Sequence, residues 1–186
     1  MIRALITTAA LGAFAAFIPA SAGAQSVAEP NTVTATPFLS GSFGTSGDLG
    51  SSLGIGAAIG YDWTKNLGFE VEFARVFDVV GDEDDVDWSL LNIHANVIYH
   101  FDVPRVTPYA VAGLGWERSS PDSEDPARLA LLPAKSTEVA WNIGAGVKVP
   151  IGTRLLARAD VRRFQVNDLA PDHWRLYGGL TFWIKR

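Results

Sequence analysis

The chain contains no cysteine in its 186 residues. That excludes a disulfide framework, a thiolate metal site, a thiol nucleophile, and a lipid anchor on a cysteine following a leader. Beyond the first eighteen residues no run of eighteen consecutive apolar residues occurs, so spanning helices are excluded as well. Positive charge is in deficit: 15 Lys and Arg stand against 20 Asp and Glu, a formal net charge of −5. This balance argues against nucleic acid as a partner. No Gly-rich loop leads from a strand into a helix, so the Gly-x-Gly spacings are packing features rather than a phosphate cradle. An exported chain lacking these devices must be held by its fold alone, and a closed hydrogen-bonded barrel supplies that.

The amino terminus reads as a leader. Met1-Ile2-Arg3 gives a positive start, Ala4 to Ile18 is apolar, and Ala22-Gly23-Ala24 is a small-residue cleavage site, the pattern of a secretory signal. The apolar run is about 15 residues, short of the roughly 20 a spanning helix needs. The predicted division is a signal peptide over 1–24 and one barrel domain over 25–186. Without Arg3, 14 basic residues face 20 acidic ones, a mature charge of −6.

The clearest pattern lies in Leu53 to Phe73. Leu53, Ile55, Ala57, Ile59, Tyr61 and Trp63 share one face, and Gly54, Gly56, Ala58, Gly60 and Asp62 the other. After Thr64-Lys65-Asn66, Leu67, Phe69, Val71 and Phe73 alternate with Gly68, Glu70, Glu72 and Ala74. A period of two means strands, and the short connector makes them an antiparallel hairpin. Further strands are predicted at Val33 to Gly44, Trp88 to Phe101, Val106 to Glu117, Thr137 to Val149, around Leu155 to Arg162, and Trp174 to Ile184. The first shows no clear division of faces, and Pro37, lacking a ladder donor, suits an edge. The strand from Val106 is apolar on both faces, so its facing stays open. Eight strands of about ten residues match the length needed to cross a bilayer at a tilt. Connectors alternate: short near 65, 103 and 151, long near 45, 80, 125 and 168, with Ser119 to Lys135 the longest. Outer-membrane barrels sort short turns inward and long loops outward in this way.

Alternation does not by itself say which face meets lipid, since a soluble lipocalin-like ligand binder alternates too. Glycines crowd the polar face (Gly54, Gly56, Gly60, Gly68, Gly144, Gly146, Gly179), which suits a narrow lumen better than a water-facing sheet. Aromatics gather near strand ends: Trp63, Trp88, Tyr99, Phe101, Trp141, Trp174 and Phe182, as at the two membrane interfaces. Both point to an apolar face turned to lipid. The expected fold is therefore all-β: an eight-stranded antiparallel up-and-down transmembrane β-barrel.

The leader ending Ala22-Gly23-Ala24, the hairpin Gly60-Tyr61-Asp62-Trp63 with Asn66-Leu67-Gly68-Phe69-Glu70, and Thr107-Pro108-Tyr109-Ala110-Val111-Ala112-Gly113-Leu114-Gly115 resemble the small outer-membrane β-barrel proteins of the OmpA/OmpX type. The resemblance covers the mature chain and is specific for architecture rather than activity. It implies residence in the cell outer membrane among lipid and lipopolysaccharide, and insertion by the barrel-assembly machinery. Members end on an aromatic residue that this machinery reads; here Phe182-Trp183-Ile184 is followed by Lys185-Arg186.

The predicted inward set includes Glu70, Glu72, Glu138, Lys148, Arg158, Asp160, Arg162 and Arg175. Buried charges must pair, and Glu70 and Glu72 are expected to reach Arg158 and Arg162 across the lumen. A lumen so filled is a plug; the alternative is a small porin-like channel. The acidic stretch Gly81-Asp82-Glu83-Asp84-Asp85-Val86-Asp87 offers carboxylates to a divalent cation but lacks EF-hand spacing, and a solvated loop is the simpler reading. Enzymatic lipid A deacylation would need a His-x-Ser pair; His94-Ala95-Asn96 and His100-Phe101-Asp102 have no serine, and His173 has no nearby nucleophile. No catalytic, cofactor or metal residues are therefore assigned, and no cofactor is expected. The role expected is structural or surface-interacting, with the loops meeting an external ligand or surface.

Overall fold

Alternation along each strand sorts the side chains onto the two faces of one ribbon, and the ribbon closes on itself. The computed structural model describes residues 29–44, 52–77, 86–123, 135–166 and 172–185. They form β1 (Thr32–Gly44), β2 (Ser52–Asp62), β3 (Leu67–Phe77), β4 (Val86–His100), β5 (Thr107–Ser123), β6 (Ser136–Pro150), β7 (Leu155–Val166) and β8 (His173–Lys185). Each strand pairs antiparallel with the next, and β8 returns to β1. Closure leaves no edge, which is the condition for exposing a sheet to hydrocarbon.

The register fixes the barrel's dimensions. A path across paired residues runs Thr34, Gly60, Glu70, Asn96, Gly113, Asn142, Phe164, His173 and back to Gly44 on β1. It returns ten residues beyond its start, a shear of ten for eight strands, which tilts the strands by about 40° and leaves an interior just wide enough for side chains.

Outward positions are mostly apolar and inward ones mostly polar. Leu39, Leu53, Ile55, Ile59, Val71, Phe73, Leu114 and Ile143 are all more than half exposed, whereas Glu72, His94, Arg162, Arg175 and Thr181 are almost wholly covered. Outward aromatics form two rings. Tyr61, Trp63, Phe69, Tyr99, Phe101 and Phe182 lie toward the short turns, and Phe43, Phe77, Trp116 and Trp141 lie toward the long connectors. These are the two interfacial girdles.

Five expectations need correction. The strands are longer than ten residues, from 11 in β2 and β3 to 17 in β5. Ser119 to Ser123, expected in a connector, continue β5 because Val86 to Leu90 of β4 offer them a paired ladder. Likewise β7 runs to Val166, so the last long connector shrinks to 167–172, no longer than the turn at 101–106. The length asymmetry therefore holds at three of the four sites.

Pro37 is not at an edge. It lies mid-strand, points outward and pairs with Ala57 of β2. On the β8 side the register passes from Ala35–Phe182 to Phe38–Gly179, skipping Thr36 and Pro37. The ladder lapses where proline has no N–H to give, and the Thr36 and Thr181 hydroxyls, 2.8 Å apart, bridge the seam instead. Finally, β1 divides cleanly after all. Thr32, Thr34, Thr36, Phe38, Ser40 and Ser42 face in, and Leu39 and Phe43 face out. The inward Phe38 had blurred the pattern. The facing of β5, open from sequence, is settled by Tyr109, Val111 and Glu117 turning inward and Leu114 and Trp116 outward.

Candidate functional site

The lumen is built from large side chains seated beside glycines. Gly146 stands between Tyr109 and Asp160, Gly144 beside Arg162, Gly179 between Arg158 and Phe38, and Gly56 on the other flank of Phe38. A β-carbon at Gly56 would collide with the Phe38 ring, and one at Gly146 with Tyr109 and Asp160. The glycines on the polar face thus make room for what crosses the axis.

Charge is divided between opposite walls. Lys148 of β6, Arg158 and Arg162 of β7 and Arg175 of β8 form a basic wall, with Lys148 in register with Arg158 and Arg162 with Arg175. Glu70 and Glu72 sit on β3, diametrically opposite β7 in an eight-membered ring. Both arginines of β7 cross to them. The Arg158 guanidinium donates to Glu70 through Nη1, and through Nη2 at 3.2 Å. Arg162 donates to Glu72 Oε2 at 2.8 Å and to Glu70 Oε1 at 3.3 Å. Asp160, between them on β7, accepts from the Nε of each at 3.0 Å. Two tyrosines complete the layer. The Tyr109 hydroxyl accepts from Arg158 at 2.8 Å and donates to Asp160, and the Tyr177 hydroxyl donates to Glu72 at 2.8 Å. The Arg162 guanidinium lies over the Tyr177 ring, 4.5 Å from its centre. Bidentate guanidinium geometry of this kind satisfies carboxylates buried from bulk solvent.

Arg175 occupies the next layer toward the long connectors. It donates to Ser42 at 3.2 Å and reaches Glu117 at 3.5 Å, with His173 Nε2 at 3.0 Å. Glu117 also accepts from Asn92 at 2.7 Å. Toward the short turns, Lys148 lies 2.9 Å from His100 Nε2 and over the Tyr109 ring. An ammonium can only donate, so a charged Lys148 uses the Nε2 lone pair of His100, whose Nδ1 lies 3.9 Å from Asp62. Leu156 and Trp183 cover the interior at that end.

Of the eight residues assigned to the lumen from sequence, Glu70, Glu72, Arg158, Asp160 and Arg162 meet in one cluster. Arg175 stands one layer up with Glu117, and Lys148 makes no ion pair within 4 Å among the described residues. Glu138 is in register with Glu117, nearer the mouth. Sequence reasoning did not assign Tyr109, Tyr177, Glu117, Asp62 or His173 to the network. Tyr177 shared the inward parity of Arg175, a usable signal; Tyr109 and Glu117 were hidden by the ambiguous strand. All three histidines face inward: His94 packs edge-on against Phe164, which His173 stacks on from its other neighbour. The acidic stretch 81–87 lies outside the described residues apart from the backbone of Val86 and Asp87.

A closed ribbon with apolar rings outside and ion pairs within defines an outer-membrane β-barrel. The chain belongs to the outer membrane protein beta-barrel domain family, whose pattern matches residues 6–182, and it resides in the cell outer membrane, as an OmpA/OmpX-type small barrel. No curated protein matches it in sequence. Among solved structures it is similar to Neisserial surface protein A, with a TM-score of 0.61 and 21% identity over 87% of this chain and 99% of that one. It is similar also to the N-terminal β-barrel domain of Pseudomonas aeruginosa OprF, at 0.54 and 23% over 83% and 98%. A third is Yersinia pestis Ail, the attachment invasion locus protein, solved with the heparin analogue sucrose octasulfate, at 0.54 and 16% over 83% and 99%. At these identities the likeness is one of fold.

Proposed function

We propose that this barrel is a non-conducting, non-catalytic outer-membrane protein whose task is performed at the cell surface by its long connectors, the ion network plugging the lumen and bracing the wall. The observation that carries this reading is the pair of β7 arginines spanning the interior to β3. Against them lies a void of about 10 Å³ edged by Thr36, Phe38, Glu72 and Tyr177, room for about one water molecule. A solute path would have to displace ions whose desolvation is already offset by these contacts. Residues 1–24 serve in this reading as a cleaved export signal, and the barrel-assembly machinery inserts the remainder. The likeness to Ail, crystallised with a sulfated sugar analogue, is in keeping with a surface role.

Planar-bilayer recording tests the plug. Purified barrel and its Glu70→Ala variant are expected to stay silent under applied potential. Reproducible unitary steps from the unmodified protein would overturn the reading in favour of a small porin-like channel.

A further inference from the structure

The lipid-facing wall carries charge of one sign, at one level. Among the described side chains, and apart from Lys185 at the short-turn rim, the outward strand positions carry three charged residues, Arg75, Arg118 and Arg163, all basic in a chain of net charge −5. They stand 8, 11 and 8 residues beyond the turn-side starts of β3, β5 and β7. On tilted strands that is about 20–28 Å from the short-turn rim, the far border of an apolar band about 25 Å tall. Each accompanies an aromatic of the outer girdle. Arg75 lies over Phe77 at 5.2 Å, Arg163 over Trp174 at 6.0 Å, and Arg118 follows Trp116 on the same face. Arginines so placed keep their stems in hydrocarbon and raise the guanidinium to the headgroups.

Arg163 is answered within the chain, donating to Asp172 at 3.1 Å. Arg75 and Arg118 have no ion pair among the described residues. The register places them on either side of one residue: Arg75 pairs with Leu91 across β3–β4, and Leu91 with Arg118 across β4–β5. Two strand spacings separate their backbones, about 10 Å, and two arginine side chains can converge over that gap on one anion. Guanidinium forks match phosphate oxygens bidentately, and the girdle aromatics beneath offer a surface to acyl chains.

We propose that Arg75 and Arg118, bridging over Leu91, form a site for a phosphorylated glycolipid of the outer leaflet, gripping a headgroup phosphate while the chains lie along Phe77 and Trp116. The phosphate fixes where on the barrel this lipid stands, on the β3–β5 side and below the base of the β4–β5 hairpin that projects past the membrane. A carboxylate from the acidic connector 78–85 is the competing partner for the two arginines, and the test separates the two.

Barrel stripped of lipid in detergent is offered hexa-acylated lipid A carrying both phosphates, or the same lipid dephosphorylated, and the bound lipid is counted by native mass spectrometry. The phosphorylated form is expected to be retained at least tenfold better. Arg75→Gln with Arg118→Gln should lower that retention about 25-fold, about fivefold per arginine at an interface. Arg163→Gln should leave it unchanged, and Arg75→Lys with Arg118→Lys should keep most of it. If the double glutamine variant does not fold, as judged by heat-shifted gel mobility, Arg118→Gln alone is read for its fivefold loss. Retention that ignores the phosphates, or that survives removal of both arginines, overturns the proposal. So does displacement of lipid A by millimolar inorganic phosphate, which would mark a site for the free anion.

Discussion

Replacing Arg162 by methionine removes a guanidinium that holds three carboxylates in a space closed to bulk solvent. Arg162 is 1% exposed and lies 2.8 Å from Glu72, 3.0 Å from Asp160 and 3.3 Å from Glu70. The loss is unequal among the three. Glu70 and Asp160 keep Arg158, whereas Glu72 keeps the Tyr177 hydroxyl and, one layer away, the field of Arg175. Breaking a buried pair from one side costs about 3–5 kcal/mol, because the remaining charge is left uncompensated. The expected destabilisation by Arg162→Met is therefore about 3–5 kcal/mol, concentrated on Glu72. With Glu72→Gln already in place, the neutral amide still meets Tyr177, and the same substitution should cost at least about 1.5 kcal/mol less, within the usual range of coupling between contacting residues. Urea unfolding of barrel refolded into lipid vesicles, followed by tryptophan fluorescence and checked by heat-shifted mobility, yields both numbers. A cost below about 1 kcal/mol, or one indifferent to Glu72→Gln, would mean that water reaches the carboxylates, and the sealed-lumen reasoning would fail.

Glycine position should decide tolerance. Gly56→Ala drives a methyl into Phe38 and the Phe73 carbonyl and is expected to cost about 1–3 kcal/mol, while Gly178→Ala, with nothing within 4 Å of the added carbon, should be neutral or slightly stabilising in the same unfolding assay. His94→Phe should stabilise by about 1–3 kcal/mol, because neither ring nitrogen meets a hydrogen-bond partner among the described residues and the ring already packs on Phe164; a loss of stability would show that the nitrogens are satisfied. Asp172, outside the spanning segments, is held below the usual carboxylate range, first by the hydrogen bond from Gln165 and then by that from Arg163. A depressed folded value means its clamp on the β7–β8 connector is present above the unfolded carboxylate range and lost as pH falls through the folded value. NMR titration of the Asp172 carboxyl should therefore show no change between pH 5 and 8.

The lipid-facing alternation was legible because hydrocarbon makes one demand on every outward position of every strand. Interior demands differ from place to place, and there the sequence was less informative. The approach of Glu70 and Glu72 to Arg158 and Arg162 follows from counting, since the third and seventh of eight strands face each other. The tyrosines that knit those pairs together do not follow from counting; Tyr109 lies on a strand whose two faces are both small and apolar, and it is placed by the tight fit of Gly146 against its ring. Ser119 to Ser123 carry turn-forming residues, including Pro121, yet continue a ladder because β4 is long enough to pair with them. Local propensity yielded to a partner that only the folded register reveals.

A buried ion network adds little net stability over a well-packed apolar filling, so its value to this barrel is better sought in register. A one-residue slip turns every inward side chain outward. For β7 that would send Arg158 and Arg162 into the bilayer, at about 2–4 kcal/mol each near the midplane, and would strip Glu70 and Glu72 of their partners as well. β2 has no such penalty, for its inward set is Gly54, Gly56, Ala58 and Gly60, with Ser52 and Asp62 only at the two rims. There the lock is steric: a slip would push Ile55 and Ile59 toward Phe38 and Thr34, against which the present glycines already stand with no room to spare. The chain therefore specifies one pairing by two different forces on two different walls, charge on the β6–β8 side and volume on the adjoining β1–β2 side. Substitutions that neutralise β7 should loosen register before they loosen closure.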